Sequence, residues 1–156
     1  MNDALFPHDR EWTVAELAYF AGIIDGEGCL SLTVGKRRAN GLSLTRATQL
    51  YVGNTDPRVI QWIQSRFGGS VALRPSPHPE RHKPLWRWLC SGANIEPVLR
   101  AVLPYLIIKR EQATLILAYR KTMAMVGSNA QTTNETQQTQ DEMIAQLRVL
   151  NKRGVA

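Results

Sequence analysis

Apolar residues recur at helical spacing through Leu17, Phe20, Ile23 and Ile24, which predicts a helix from Thr13 to about Gly26. Thr13-Val14-Ala15-Glu16 opens it as a capping box: the hydroxyl takes a free amide and the carboxylate reaches back. The period then drops to two. Leu30, Leu32 and Val34 alternate with Ser31, Thr33 and Gly35, the pattern of a half-buried strand. A basic run, Lys36-Arg37-Arg38, leads into the hairpin signal Asn40-Gly41. The second strand, about Leu42 to Val52, is loosely patterned. Ser43, Thr45, Ala47, Gln49 and Tyr51 share one face; Leu42, Leu44, Arg46, Thr48, Leu50 and Val52 share the other, and a bulge would shift the phase partway.

Asp56 and Pro57 read as the N-cap and first position of a second helix, with Val59, Ile60, Ile63 and Phe67 inward and Gly68-Gly69 ending it. Val71, Leu73 and Arg74 make a third strand, and Pro75, Pro77 and Pro79 force an irregular loop. In the fourth strand, Leu85 to Cys90, Trp86, Trp88 and Cys90 take the core side and Leu85, Arg87 and Leu89 the other. Asn94 reads as the N-cap of a helix that Pro104 breaks, and a further helix runs from about Lys109 to Met125 with Leu115, Ile116 and Tyr119 inward. Residues 127–140 are Ser/Asn/Gln/Thr-rich, too polar for order of their own, and a last helix spans about Asp141 to Leu150. Helix, two strands, helix, two strands, helices is an α+β order with antiparallel hairpins. The expected organisation is a lead-in over 1–12, a core over 13–126, a linker over 127–140, and a helix with a basic tail over 141–156.

A chain of 156 residues is enough for one core and short for two. The formal charge of +6 is unevenly placed: ten basic and two acidic residues lie between Cys29 and Cys90, a net +8, and the remainder is slightly acidic. Most of the ten are Arg, whose planar fork matches phosphate and the guanine edge. Charge on strands points to a polyanion; a solvated basic face is the plainer alternative. Cys29 and Cys90 sit inside strands and read as buried thiols of a reducing, intracellular compartment. No apolar run of membrane-spanning length and no secretory leader is read in the chain. His8, His78 and His82 form no zinc spacing with the cysteines.

The chemistry gathers at Asp25-Gly26-Glu27-Gly28, a glycine-flanked pair of carboxylates between helix and strand. Carboxylate and carbonyl oxygens are the ligands Mg²⁺ takes while keeping several waters. The stretch Phe20-Ala21-Gly22-Ile23-Ile24-Asp25-Gly26-Glu27-Gly28 resembles the LAGLIDADG motif of homing endonucleases. It keeps the pattern at Ala21, Gly22, Ile24, Asp25 and Gly28; Phe20, Ile23 and Gly26 depart mildly, and Glu27 stands where the motif has Asp.

The resemblance covers about residues 12–125 and implies the single-motif, homodimeric type, with an αββαββα core, an antiparallel saddle-shaped sheet and C-terminal helices. It implies a sequence-specific, intron-encoded DNA endonuclease that uses Mg²⁺ or another divalent ion such as Mn²⁺ to break both strands of a long pseudo-palindromic site. The alternative is an intron RNA maturase, or a DNA-binding regulator, with the same fold and no cleavage. By the motif, Glu27 is the catalytic acid and Gly26 supplies a second metal ligand, with Lys109, Asn54 and Arg58 as supporting catalytic residues. Asp25 matches the motif's non-catalytic acid. Ala18, Ala21, Gly22 and Asp25 would form the dimer interface, although small residues also suit a helix lying on its own sheet. Base contacts are expected from Ser31, Thr33, Lys36, Arg37 and Arg38, and from Thr45, Gln49, Arg74 and Arg87, with Arg46 also expected to bind DNA. Lys83, Arg148, Lys152 and Arg153 are expected on phosphate.

Overall fold

The computed structural model describes residues 11–37, 44–125 and 133–152. Helix α1 (Val14–Glu27) starts on the predicted capping box. The Thr13 hydroxyl accepts the Glu16 N–H at 3.2 Å, and the Glu16 carboxylate accepts the Thr13 N–H at 2.9 Å. The helix runs straight into β1 (Gly28–Arg37), which pairs antiparallel with β2 (Leu44–Asn54). The pairing is regular from Gly28 opposite Val52 to Val34 opposite Arg46, then shifts before Arg37 meets Leu44. The extra residue lies in β1 at the hairpin end, and β2 keeps one phase from Arg46 to Val52, so the bulge expected partway along β2 is not found in that stretch.

Asp56 and Pro57 start α2 (Pro57–Phe67) as the sequence predicts. Gly68 and Gly69 end it with φ of 70° and 85°. The second glycine is required twice over, because a Cβ there would also lie 2.6 Å from Trp88 Nε1. Strands β3 (Ser70–Arg74) and β4 (Leu85–Ser91) complete a four-stranded antiparallel sheet in the order β1-β2-β4-β3. Helix α3 (Ile95–Val102) follows a 3₁₀ turn over Gly92–Asn94. Asn94 already has helical dihedrals and makes no side-chain capping bond, so its expected cap is absent. Pro104 lies in a second 3₁₀ turn before α4 (Arg110–Met125), and α5 (Asn134–Asn151) closes the fold.

The helices cover one face of the sheet. Trp88 and Cys90 of β4 and Leu50 and Val52 of β2 point into that layer with no exposed surface, against Phe20, Ile24, Ile60 and Phe67. Trp88 stacks edge-on against Phe20, and its indole N–H donates to the Gly68 carbonyl at 2.6 Å. No helix among the described residues is long and apolar enough to cross a membrane.

Two expected boundaries change. Trp12 is packed, not loose: its ring lies 5.1 Å from that of Phe67 and its N–H donates to the Arg66 carbonyl. The last helix starts at Asn134 rather than Asp141, capped by Thr133, and Gln140 is buried against its neighbours. Tertiary contact therefore orders seven residues that their polarity alone would not. The rest of the proposed linker lies outside the described residues, apart from Thr133.

Candidate nucleic-acid interface and active site

The end of α1 sorts its residues between support and exposure. Gly28 is the hinge: its N–H still closes on the Ile24 carbonyl while its own backbone is extended. A Cβ there would lie 2.7 Å from that carbonyl oxygen, so glycine lets helix become strand without a turn. Asp25 is buried. Its carboxylate accepts the backbone N–H groups of Ile107 at 2.8 Å, Ile108 at 3.2 Å and Lys109 at 2.9 Å. Lys109 answers in kind: its ammonium, buried beneath α1, donates to the carbonyls of Ile24 at 2.7 Å and Asp25 at 2.6 Å. The exchange satisfies donors at the start of α4 and acceptors at the end of α1, and it sets a cation against the negative pole of α1.

Glu27 lies beyond that clasp. It is exposed, and its carboxylate makes no hydrogen bond or ion pair among the described residues. Gly26 is exposed too, with open space where a side chain would be. The last residue of α1 thus presents a free carboxylate beside a bare backbone, held from below by Lys109. Lys109 contacts the end of α1 through the main-chain carbonyls of Ile24 and Asp25.

Asn54 ends β2 and Arg58 lies in the first turn of α2, each with a local task. Asn54 lies two residues past Val52, the partner of Gly28, and its side-chain oxygen accepts the Asp56 N–H at 2.8 Å. Arg58 forks onto Asp56, with Nη2 to Oδ2 at 2.6 Å, and holds that carboxyl down at about 2. Nothing links either residue to Glu27.

The sheet face opposite the helices is open: among the described residues none of its side chains is fully buried. Ser31 and Thr33 of β1 and Gln49 of β2 point there, as expected, with Ser31 directly opposite Gln49. Arg74 and Arg87 do the same from β3 and β4. Lys36, Arg37 and Thr45 belong to the strands, but their side chains lie outside the description, and Arg38 and Arg153 fall outside the described residues altogether. Lys83 is exposed in the loop between β3 and β4, and Arg148 and Lys152 are exposed on and just after α5.

Three expectations are corrected. Arg46 falls in the phase of Thr48 and Leu50, so it points into the helical layer. There it is 11% exposed and bonds Gln140 and Asp141 of α5. It fastens a helix to the sheet and is removed from the open face. On α1, Ala18 and Gly22 are exposed, whereas Ala21 and Asp25 are buried within the same chain, which takes both out of any surface between subunits. Cys90 is buried as expected, with its thiol pushed up to about 12 by desolvation, but Cys29 sits half-buried on the open face. Tyr51 was readable as an outward residue and nothing more. Its phenol is held above its ordinary value first by a hydrogen bond with Cys29 and then by burial, and Arg87 lies across its ring.

No protein-family model and no curated protein sequence matches the chain. Solved structures do. The homing endonuclease I-CvuI, in complex with the I-CreI target in the presence of Mg with the DNA not cleaved, is 21% identical, with a TM-score of 0.74 over 91% of this chain and 85% of that one. The archaeal intron-encoded homing endonuclease I-Vdi141I, complexed with DNA, is 13% identical, with a TM-score of 0.72 over 90% and 86%. The LAGLIDADG homing endonuclease I-GzeII, in complex with its DNA target, is 16% identical, with a TM-score of 0.63 over 90% of this chain but only 46% of that one. With the order αββαββα and a likeness that extends over at least 90% of its length, this chain has the LAGLIDADG homing-endonuclease fold.

Proposed function

We propose that two copies of this chain pair along α1 and cut double-stranded DNA at a specific site, using a divalent cation held at Glu27. The observation that carries this reading is the position of Glu27: a carboxylate unpartnered among the described residues, at a helix end that runs directly into the first strand of a basic sheet. The structural likeness supports it, since the neighbours named above are homing endonucleases in DNA complexes.

The donors present fit a hard cation in part. Glu27 offers a carboxylate and Gly26 a carbonyl, both oxygen and both exposed, which is what Mg²⁺ takes. Among the described residues no group of three His, Cys, Asp or Glu side chains gathers to complete a shell. The remaining ligands then come from a second copy, the DNA phosphates and water. A bound divalent ion would acidify a water and neutralise charge on the phosphate. Lys109, fixed under the last turn of α1, holds the carbonyls that aim Glu27 outward and adds positive potential beneath the phosphate.

Pairing is supported by the exposed side of α1. Ala15, Ala18, Gly22 and Gly26 recur there at helical spacing, and space above both glycines is open to an approaching backbone. Large apolar groups border it: Tyr19 is 57% exposed, and Ile107 is 85% exposed on the loop clasped by Asp25. Matching this chain to about half of I-GzeII also favours two copies per site.

The test is Glu27→Gln. Cleavage of the target should fall by at least about 10³-fold, or ~4 kcal/mol of barrier, while binding of the uncut duplex is kept. Sedimentation with target DNA should give two chains per duplex. Cutting by the variant at the normal rate refutes the site; a single bound chain refutes the pairing. A wild-type chain that binds its site and never cuts, with any divalent ion, is the regulator of the same fold.

A further inference from the structure

The open face holds one arginine that is already built into position. Arg87 of β4 lies opposite Gly53 of β2 on one side and Ala72 of β3 on the other, so the residues directly facing it are small, and the Leu85 side chain covers Gly53. It leans diagonally instead. Tyr51 faces Leu89, two residues along β4, and Arg87 Cζ sits 3.8 Å above the Tyr51 ring. Diagonal neighbours at that separation are within reach of long side chains, and a guanidinium over an aromatic face is held by the ring quadrupole. The ring is flanked from the other strand, because Tyr51 faces Cys29 of β1.

The result is an oriented fork. Nε of Arg87 is buried and makes no hydrogen bond; it is the one guanidinium nitrogen of this residue that is sealed in, and the group donates to no acceptor among the described residues. A surface arginine usually samples many rotamers, and binding must then freeze them. Here the stacking has fixed the plane beforehand. The location is also definite. Arg87 precedes Trp88, which faces Val52, and Val52 faces Gly28, the residue after Glu27. The fork therefore stands on the part of the face nearest the candidate cleavage carboxylate.

Resting on the duplex-binding reading above, we propose that Arg87 reads a guanine in the inner part of each half-site and that Tyr51 is the positioning residue that makes this contact selective. An arginine fork matches the N7 and O6 acceptors of guanine in the major groove, and a mispaired fork leaves buried donors unsatisfied. The other outward arginine, Arg74, has no such platform among the described residues and is exposed at the sheet edge, where it contributes general attraction to phosphate.

The experiment is selection from a randomised duplex library by the full chain with Ca²⁺, so that binding is read without cutting, followed by sequencing. Arg87→Ala and Arg87→Lys should each lose the guanine preference at one position per half-site, by about tenfold or more. Tyr51→Ala should weaken the preference at that same position and no other, and Tyr51→Phe, which keeps the ring, should retain it. Adding Tyr51→Ala to Arg87→Ala should change nothing further. Loss at a different position, unchanged selectivity in Tyr51→Ala, or additive effects in the double variant overturns the proposal and leaves duplex binding standing. If the wild-type chain selects no sequence at all, the duplex reading falls with it. Thermal melts of each variant separate a lost contact from a lost fold.

Discussion

Two regions meet at the end of α1 and differ in almost every physical respect. The seam between α1 and the start of α4 is dry and saturated: Asp25 takes three backbone donors and Lys109 gives to two carbonyls. The rim above it, Gly26 and Glu27, is wet and unpaired. Two carboxylates separated by one glycine thus have opposite tasks. The lesson is that a short motif can encode its own support, with one acid spent on holding the chain so that the other can be left free.

That contrast gives opposite expectations for stability. Glu27→Gln should leave the folding free energy within about 0.5 kcal/mol, as for surface changes that break nothing. Asp25→Asn should cost about 2–4 kcal/mol, because an amide turned toward three backbone N–H groups must present its own N–H₂ to at least one. Urea titration of the isolated chain measures both. Equal stability of the two variants would mean that the seam does not support the rim.

The exposed side of α1 should separate folding from pairing in the reverse sense. A Cβ at Gly22 meets nothing within 4 Å. Gly22→Leu should therefore stabilise the lone chain by about 0.5–1 kcal/mol, the difference in helix propensity. The same side chain would wedge a close helix pair apart, at a cost of about 1–3 kcal/mol per overpacked site. A raised melting temperature together with weaker self-association is the expected pair of results. A variant that pairs as tightly as the wild-type chain would place the partner elsewhere.

Much of this arrangement was legible before any coordinates. The capping box at Thr13, the Asp56-Pro57 helix start and the alternation that put Trp88 and Cys90 inward are local signals, and each was realised. The loose patterning of β2 hid what followed. Arg46 looked like one more basic residue on a basic strand, yet the phase it shares with Thr48 and Leu50 turns it inward, where α5 supplies its partners across 94 residues of chain. No local rule predicts a partner that distant. The same holds for α5, whose first turns read as linker because the groups that bury Gln140 are elsewhere in the sequence. The Asp25–Lys109 clasp was half visible: both residues could be named from the motif and its likeness, but not that they would satisfy each other's helix ends.

The smallest expected effect belongs to the opposite end of α1 and supplies a third condition for a carboxylate, surface-lying but paired. Glu16 forms an ion pair with Arg66 and accepts the Thr13 N–H, and its carboxyl is lowered to about 2, with the bond to Arg66 as the largest cause. A carboxylate lowered in the folded state binds fewer protons there than in the unfolded chain, so it stabilises the fold above its unfolded value near 4.5 and loses that contribution as pH falls toward 2. Glu16→Gln removes the charge at every pH. The gap in melting temperature between wild type and Glu16→Gln should accordingly be widest at neutral pH and close between pH 4.5 and 2. If the Glu16 gap stays constant with pH, the capping geometry and not the charge accounts for its contribution, and pairing with Arg66 adds nothing to the anchoring of α1 on α2.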